Sequence, residues 1–180
     1  MTLNIGDKAV DYSLQNANEE IGGQSLNLEQ SVMKNGLVLV FECNHCPYVV
    51  ASIDRMNKMS EYCKSNQIGF VGINSNDATV YANDSFEHMV KRAENGMPYS
   101  YLYDESQEVA HAYGAKRTPE FFLFNSDNTL VYRGRMDDSP RDPSQVSTSE
   151  LKDAIDAMLD GRSPDISETE SIGCSVKWKA

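Results

Sequence analysis

The residues best placed to do chemistry lie in the segment FECNHCPYV, residues 41–49, where Cys43 and Cys46 form a C-x-x-C pair. Pro47 follows Cys46 directly, and proline is common at the first position of a helix, where its missing N–H is not needed. A thiol just before a helix is stabilised as a thiolate by free backbone N–H groups and by the helix dipole. A fall of its pKa from about 8.5 to about 6.5 would raise the thiolate fraction at pH 7 from roughly 3% to roughly 75%. Cys46 is therefore the predicted nucleophile, and Cys43, farther from the helix, gains less.

The same segment admits a metal site as an alternative. Four residues could supply tetrahedral ligands for zinc or copper(I): Cys43, His45, Cys46 and Cys174. His45 could instead tune the thiolate of Cys46, or be an exposed loop histidine. A second group of charges, in YRGRMDD at residues 132–138, lacks the spacing of an EF-hand and is expected to lie in a solvated loop.

Composition narrows the class of partner. The chain of 180 residues has a formal net charge of −11, which argues against binding nucleic acid or an anionic membrane through bulk charge. The first residues show no signal segment, and no apolar run approaches the roughly 18 residues of a membrane span. A cytoplasmic location is expected, where four cysteines are more often reduced, redox-active, metal-bound or buried than joined in structural disulfides.

Strand and helix patterns alternate around the cysteines. The apolar run at residues 37–41 predicts a buried strand, and apolar residues at three- and four-residue steps predict a helix from Pro47 with Cys63 on its buried face. Ser147 and Glu150 form a capping-box pattern. The other predicted elements are strands at 68–74, 120–125 and 130–134 and helices at about 85–94, 105–113 and 147–160. The order β-α-β-α-α-β-β-α predicts an α/β fold with helical crossovers and a closing antiparallel hairpin.

Several motifs in this order resemble the thioredoxin-fold redoxins, specifically the peroxiredoxin-like and TlpA-like (AhpC/TSA-type) group. They are NIGDKAVDYSL, LVLVFECNHCPYV and YDESQEVAHAYGAKRTPEFFLFNSDNTLVYRGR. CNHCPY together with a C-terminal GCSxKWK is similar to one subgroup of redoxin-domain proteins. The resemblance covers roughly residues 4–160 and implies a central mixed sheet flanked by helices. It divides the chain into a redoxin domain, residues 1–161, and a C-terminal tail, residues 162–180, that docks on the domain.

The resemblance also bears on the nucleophile. In TlpA-like redoxins the reactive cysteine lies five residues after the aromatic residue that ends the strand, which here leads from Phe41 to Cys46. Val49 then stands where that group has its resolving cysteine. Peroxiredoxins carry a threonine three residues before the nucleophile and a proline seven before it, and these positions hold Cys43 and Leu39. This departure leaves peroxidase activity open and makes Cys43 a second thiol that could form a disulfide with Cys46.

Cys174 is the rival partner for Cys46. It lies in the tail sequence SIGCSVKWK, whose Ile172, Val176 and Trp178 could dock on the domain. Docking could bring Cys174 to Cys46, as happens with resolving cysteines near the C-termini of some peroxiredoxins. The alternative is a docked tail with an inert cysteine.

Thr118 and Pro119 directly precede the strand predicted at residues 120–125. Thioredoxin-fold proteins carry a cis-proline at this point, facing the active-site cysteine. The resemblance implies that the backbone here pairs with an extended substrate chain and that the proline ring keeps metal ions from the thiolate. The adjacent Arg117 could support a thiolate or a bound anion, or be an exposed surface arginine.

The resemblance therefore implies a thiol–disulfide oxidoreductase or a peroxiredoxin-like thiol peroxidase that uses Cys46, resolved by Cys43 or Cys174. A peroxide or a disulfide would be the substrate, an external dithiol such as thioredoxin the reductant, and no cofactor is required. The alternatives are the metal-binding module described above and a redox-inactive protein that binds partners on the thioredoxin-fold surface.

Overall fold

The apolar segment that leads into the cysteines forms the centre of a seven-stranded sheet. In this computed structural model, which describes residues 2–180, strand β3 (Gly36–Phe41) is buried along its whole length. Strand alternation sends Val38 and Val40 into one core and Leu37 and Leu39 into the other. The end of β3 is therefore held from both faces, and the two cysteines follow directly from it.

The remaining strands are β1 (Ser13–Asn16), β2 (Ser25–Asn27), β4 (Ile68–Asn74), β5 (Ser100–Tyr103), β6 (Arg117–Thr118), β7 (Glu120–Phe124), β8 (Leu130–Gly134) and β9 (Cys174–Ser175). The helices are α1 (Leu28–Ser31), α2 (Pro47–Val50), α3 (Ile53–Ser65), α4 (Phe86–Glu94), α5 (Glu108–Tyr113) and α6 (Glu150–Leu159). The sheet order is β2-β1-β5-β4-β3-β7-β8, while β6 and β9 form a separate pair.

The sheet is mixed. β3 is parallel to β4, and β4 to β5, whereas β3–β7 and the β7–β8 hairpin are antiparallel. Helices α3, α4 and α6 pack on one face through Met56, Met89 and Leu151, and helices α1 and α5 pack on the other through Leu28 and Tyr113. The predicted α/β fold with a central mixed sheet between helices is confirmed. None of the helices described over residues 2–180 has the length and apolar character needed to cross a bilayer.

The helix predicted from Pro47 is interrupted after one turn, so that α2 and α3 are separate. At the break, the single O–H of Ser52 has two carbonyl acceptors within reach, those of Tyr48 (2.7 Å) and Pro140 (3.0 Å). Side-chain bonds of this kind compete with the continuous backbone ladder of a helix. Cys63 is buried within α3, as predicted.

Two predictions are wrong, one at the C-terminal helix and one in the number of strands. The capping box does not form, because the N–H of Ser147 donates to Asp138 (2.9 Å), the carboxylate of Glu150 binds Arg135 (2.9 Å), and α6 begins only at Glu150. The strands β1, β2 and β5 also have no counterpart in the predicted order. β1 and β2 are short and largely exposed, so they lack an apolar pattern.

The segment 132–138 is not the solvated loop that its charges predict. Arg133 is buried and pairs with the buried Glu120 (2.8 Å), and the buried Asp137 pairs with Arg55 (2.7 Å). Each of these two buried charges of the segment therefore has an oppositely charged partner, which offsets the cost of removing it from water.

The tail, residues 162–180, first runs beside the outer strand β8. The N–H of Arg133 donates to the carbonyl of Ser167, and the N–H of Thr169 donates to the carbonyl of Arg133 (both 3.1 Å). Gly134 has φ +136°, and a Cβ there would lie 2.4 Å from the carbonyl oxygen of Thr169. A glycine therefore allows the tail to lie close to the sheet before it crosses to β6.

Candidate active site

Cys46 lies at the start of α2, where it is the N-cap residue and is 1% exposed. Pro47 occupies the first helical position, as predicted. The N–H of Val49 donates to the Cys46 carbonyl oxygen (3.0 Å), and its position at the helix end also lowers the pKa of the Cys46 thiol. Because α2 has only four residues, the pKa of the Cys46 thiol depends on individual neighbouring groups more than on a helix dipole.

Cys43 supplies the largest of these effects. Its buried thiol donates to the sulfur of Cys46, which lowers the pKa of Cys46 to about 4 and raises the pKa of Cys43 well above its ordinary value. Burial opposes the Cys46 thiolate, whereas hydrogen bonds from Cys174 and Val49 support it. The Cys43 sulfur also lies 3.7 Å from the Thr118 hydroxyl. Of the two cysteines, Cys46 is therefore the one whose environment favours the thiolate.

Strand β9 brings Cys174 to the same place. Thr118 pairs with Cys174 and Arg117 with Ser175 in the antiparallel β6–β9 ladder. The Cys174 thiol is partly exposed and hydrogen-bonds to Cys46; burial first, and then this neighbour, raise the pKa of Cys174 to about 11. Cys43, Cys46 and Cys174, all free thiols, therefore meet at the end of β3.

The predicted proline loop forms the other wall of the site. The Thr118–Pro119 bond is cis, as predicted, and the Thr118 carbonyl oxygen lies 3.5 Å from the Cys46 sulfur. Arg117 is exposed, and its guanidinium donates to the carbonyl of Ser171 in the tail (2.8 Å). A direct contribution of Arg117 to a thiolate or an anion stays a prediction.

A possible metal cluster is present, but its membership differs from the predicted set. The ligand atoms of Cys43, His45 and Asp84 lie within 4.8 Å of one another. His45 Nδ1 lies 2.5 Å from Asp84 Oδ2 without the alignment of a hydrogen bond. Within residues 2–180 this is the one such group, so neither Cys46 nor Cys174 belongs to it, and nor do the aspartates of segment 132–138.

A buried ion pair that the sequence pattern did not predict lies under the site. Glu42 follows β3 directly, is fully buried, and binds Arg92 of α4 (2.5 Å) and the hydroxyl of Tyr99 (2.8 Å). Arg92 also donates to the carbonyl of Cys43 (3.2 Å), which ties α4 to the cysteine loop. A Cβ on Gly72 would lie 2.4 Å from the Glu42 carboxylate, so the glycine leaves room for it. The sequence signal for this ion pair is the single acidic residue, Glu42, between the apolar strand and Cys43.

Two solved structures are similar to this chain in both sequence and fold. An uncharacterized conserved protein from Geobacillus kaustophilus is 40% identical with a TM-score of 0.90, and the match covers 98% of this chain and 93% of the other. A hypothetical protein from Sinorhizobium meliloti 1021 is 34% identical with a TM-score of 0.90, covering 100% and 97%.

More distant structures share the fold alone. Peroxidoxin BcpB from Mycobacterium tuberculosis is 19% identical with a TM-score of 0.58, covering 88% of this chain and 93% of the other. None of the curated proteins compared with the chain matches it. The family model described as Redoxin matches residues 4–154. With its mixed sheet, cis-proline loop and cysteine-bearing turn, this chain belongs to the Redoxin family and has a thioredoxin fold.

Proposed function

We propose that the protein is a thiol-dependent oxidoreductase that reduces a peroxide or a disulfide with the thiolate of Cys46. The observation that carries the proposal is the meeting of the free thiols of Cys46, Cys43 and Cys174 at the start of α2, beside the cis Thr118–Pro119 bond. Cys43 beside it lowers the pKa of Cys46. At neutral pH such a sulfur is ionised, and the thiolate is the nucleophilic form of cysteine.

The cycle has three balanced steps. With a hydroperoxide, the thiolate of Cys46 attacks the terminal oxygen, the O–O bond breaks, and an alcohol or water leaves while Cys46 becomes a sulfenic acid. With a disulfide, the S–S bond breaks, one thiol leaves, and a mixed disulfide forms. A second cysteine of the chain then forms a disulfide with Cys46 and releases water or the second thiol. An external dithiol reduces that disulfide and becomes oxidised itself.

Cys174 is the resolving cysteine in this proposal, and Cys43 is a positioning residue. Both thiols hydrogen-bond to Cys46, but Cys174 has the lower pKa, about 11, and is partly exposed. It can therefore lose its proton to solvent more readily than the buried Cys43. Cys43 instead stands where peroxiredoxins carry a threonine, and as a hydrogen-bond donor it can orient the thiolate.

Disulfide mapping by mass spectrometry after one equivalent of hydrogen peroxide tests this assignment. We expect one new disulfide, Cys46–Cys174, and loss of peroxide or disulfide turnover in Cys46→Ser but not in Cys63→Ser. A dominant Cys43–Cys46 disulfide would overturn the assignment of the resolving cysteine. Undiminished turnover in Cys46→Ser would overturn the proposed function itself.

Zinc binding is the second candidate function, and the grouping of Cys43, His45 and Asp84 favours it. Soft sulfur, imidazole and carboxylate are ligands that zinc accepts, with a fourth position left for water. Dialysis against Zn²⁺ followed by elemental analysis tests it. Retention of one zinc per chain, lost in Asp84→Asn but kept in the partly exposed control Asp138→Asn, would support this candidate. No retention by the wild-type protein would exclude it.

A further inference from the structure

The edge of β6 beside Cys46 is already occupied by another strand. Thr118 pairs with Cys174, Arg117 pairs with Ser175, and the N–H of Val176 donates to the carbonyl of Lys116 (2.9 Å). An unpaired strand edge is a site that an extended polypeptide can join through backbone hydrogen bonds. Here the tail of the same chain makes those bonds.

Gly173 allows an especially close approach. A Cβ at this position would lie 1.9 Å from the carbonyl oxygen of Thr118 and 2.7 Å from its carbonyl carbon. These are backbone atoms of the cis-proline loop, so the clash could not be relieved by turning a side chain. The tail therefore passes Thr118 at a distance that only glycine permits, one residue before the cysteine that reaches Cys46.

The tail beyond the pair is anchored by both polar and apolar contacts. Val176 is buried. The backbone of Lys177 is held on both sides, since its N–H donates to Asn76 (2.9 Å) and its carbonyl accepts from the Gln107 side chain (2.9 Å). Trp178 then stacks on His111 with ring centroids 4.2 Å apart. The occupied edge is thus a fixed part of the native fold rather than a passing contact.

We propose that this tail is a built-in strand that fills the polypeptide-binding edge of the site, so that the protein acts on low-molecular-mass oxidants and excludes protein disulfides. The inference rests on the proposed function of Cys46. With the tail docked, Cys46 is 1% exposed, and the position where a substrate cysteine would pair with Thr118 holds Cys174. A hydroperoxide or a small disulfide needs only a local displacement near Cys174. A polypeptide needs the whole strand from Gly173 to Val176 to leave.

The test compares two substrates in full-length variants, with dithiothreitol as the electron donor. Insulin supplies a protein disulfide, and oxidised glutathione supplies a small aliphatic one; dithiothreitol alone reduces both only slowly, so its background rate is subtracted. Gly173→Val should release the tail through the clash with Thr118, and Val176→Asp should release it by placing a charge in a buried position. Ser175→Val, on the exposed side of the same strand, is the matched control. Trp178 is the single tryptophan of the chain, so its emission reports whether the tail has left His111.

With the wild type and Ser175→Val, we expect insulin reduction to proceed at the rate of dithiothreitol alone. Gly173→Val and Val176→Asp should each accelerate insulin reduction several-fold. Reduction of the small disulfide should change little, because dithiothreitol can itself resolve the mixed disulfide of Cys46 when the tail and Cys174 are released. Cys46→Ser should lower both activities to the background of dithiothreitol alone. Insulin reduction by the wild type as fast as by the releasing variants would overturn the proposal. The proposal would also be overturned if Trp178 emission showed that the tail is released but insulin reduction were no faster. Small-disulfide turnover that stays above the background of dithiothreitol alone in Cys46→Ser would instead refute the proposed function.

Discussion

Replacing Cys43 should weaken the thiolate of Cys46 in a way that depends on the new side chain. The Cys43 thiol donates to Cys46, and this bond is the largest cause of the pKa of about 4. A hydrogen bond to a charged acceptor contributes about 1.5–3 kcal/mol. At about 1.4 kcal/mol per pH unit, its loss should raise the pKa of Cys46 by about 1–2 in Cys43→Ala. Cys43→Ser keeps a donor and should stay close to the wild type.

The assay is the pH dependence of Cys46 alkylation by iodoacetamide, followed by mass spectrometry of the peptide that carries it. The pKa of Cys46 is depressed in the folded protein, so its reactivity should be constant at neutral pH and fall as the pH drops through about 4. In Cys43→Ala the fall should begin at higher pH. Identical profiles for Cys43→Ala and the wild type would refute the assignment of Cys43 as donor. An equal rise in Cys43→Ser would show that packing, and not the donated proton, controls the pKa.

Three further outcomes follow from the contacts around the site. Arg92→Met leaves the buried Glu42 carboxylate without its charged partner. The free energy of unfolding, measured by urea denaturation, should fall by about 3–5 kcal/mol. A loss below about 1 kcal/mol would contradict the buried ion pair. Cys174→Ser should let excess peroxide carry Cys46 to the sulfinic acid, seen as an added mass on its peptide; a stable disulfide in this variant would point to a different resolving thiol. Ser52→Ala removes the hydroxyl that lies between the carbonyls of Tyr48 and Pro140, and it should lower the free energy of unfolding by about 1 kcal/mol in the same urea assay. An unchanged free energy of unfolding would show that the break between α2 and α3 has another cause.

The position of Cys46 could be predicted because it depends on local sequence. A buried strand, a short turn and a proline at the first helical position place the second cysteine at the N-cap. The cis bond before Pro119 follows from the family resemblance rather than from local sequence. Docking of the tail was predicted from its isolated apolar residues, and Val176 is buried.

The contribution of Cys43 could not be predicted, because it depends on the direction of two side chains in a turn. Helix-end arguments favour Cys46 and give Cys43 a minor part, yet the hydrogen bond between the two sulfurs outweighs the effect of a helix that ends after one turn. The side-chain pairs between residues distant in sequence could not be predicted for a similar reason. Asp84 beside His45 and Arg92 beside Glu42 come from segments that meet only when β4 and α4 pack on β3.

The path of the tail along β8 links the active site to the solubility of the protein. β8 is the outermost strand of the sheet, and the backbone of Arg133 would face solvent if Ser167 and Thr169 did not bond to it. Gly134 offers no side chain to shield that edge. A protease that removed residues 162–180 would therefore leave an open sheet edge, which could pair with the same edge of a second molecule. Proteolytic loss of the tail should thus be followed by self-association as well as by an exposed nucleophile.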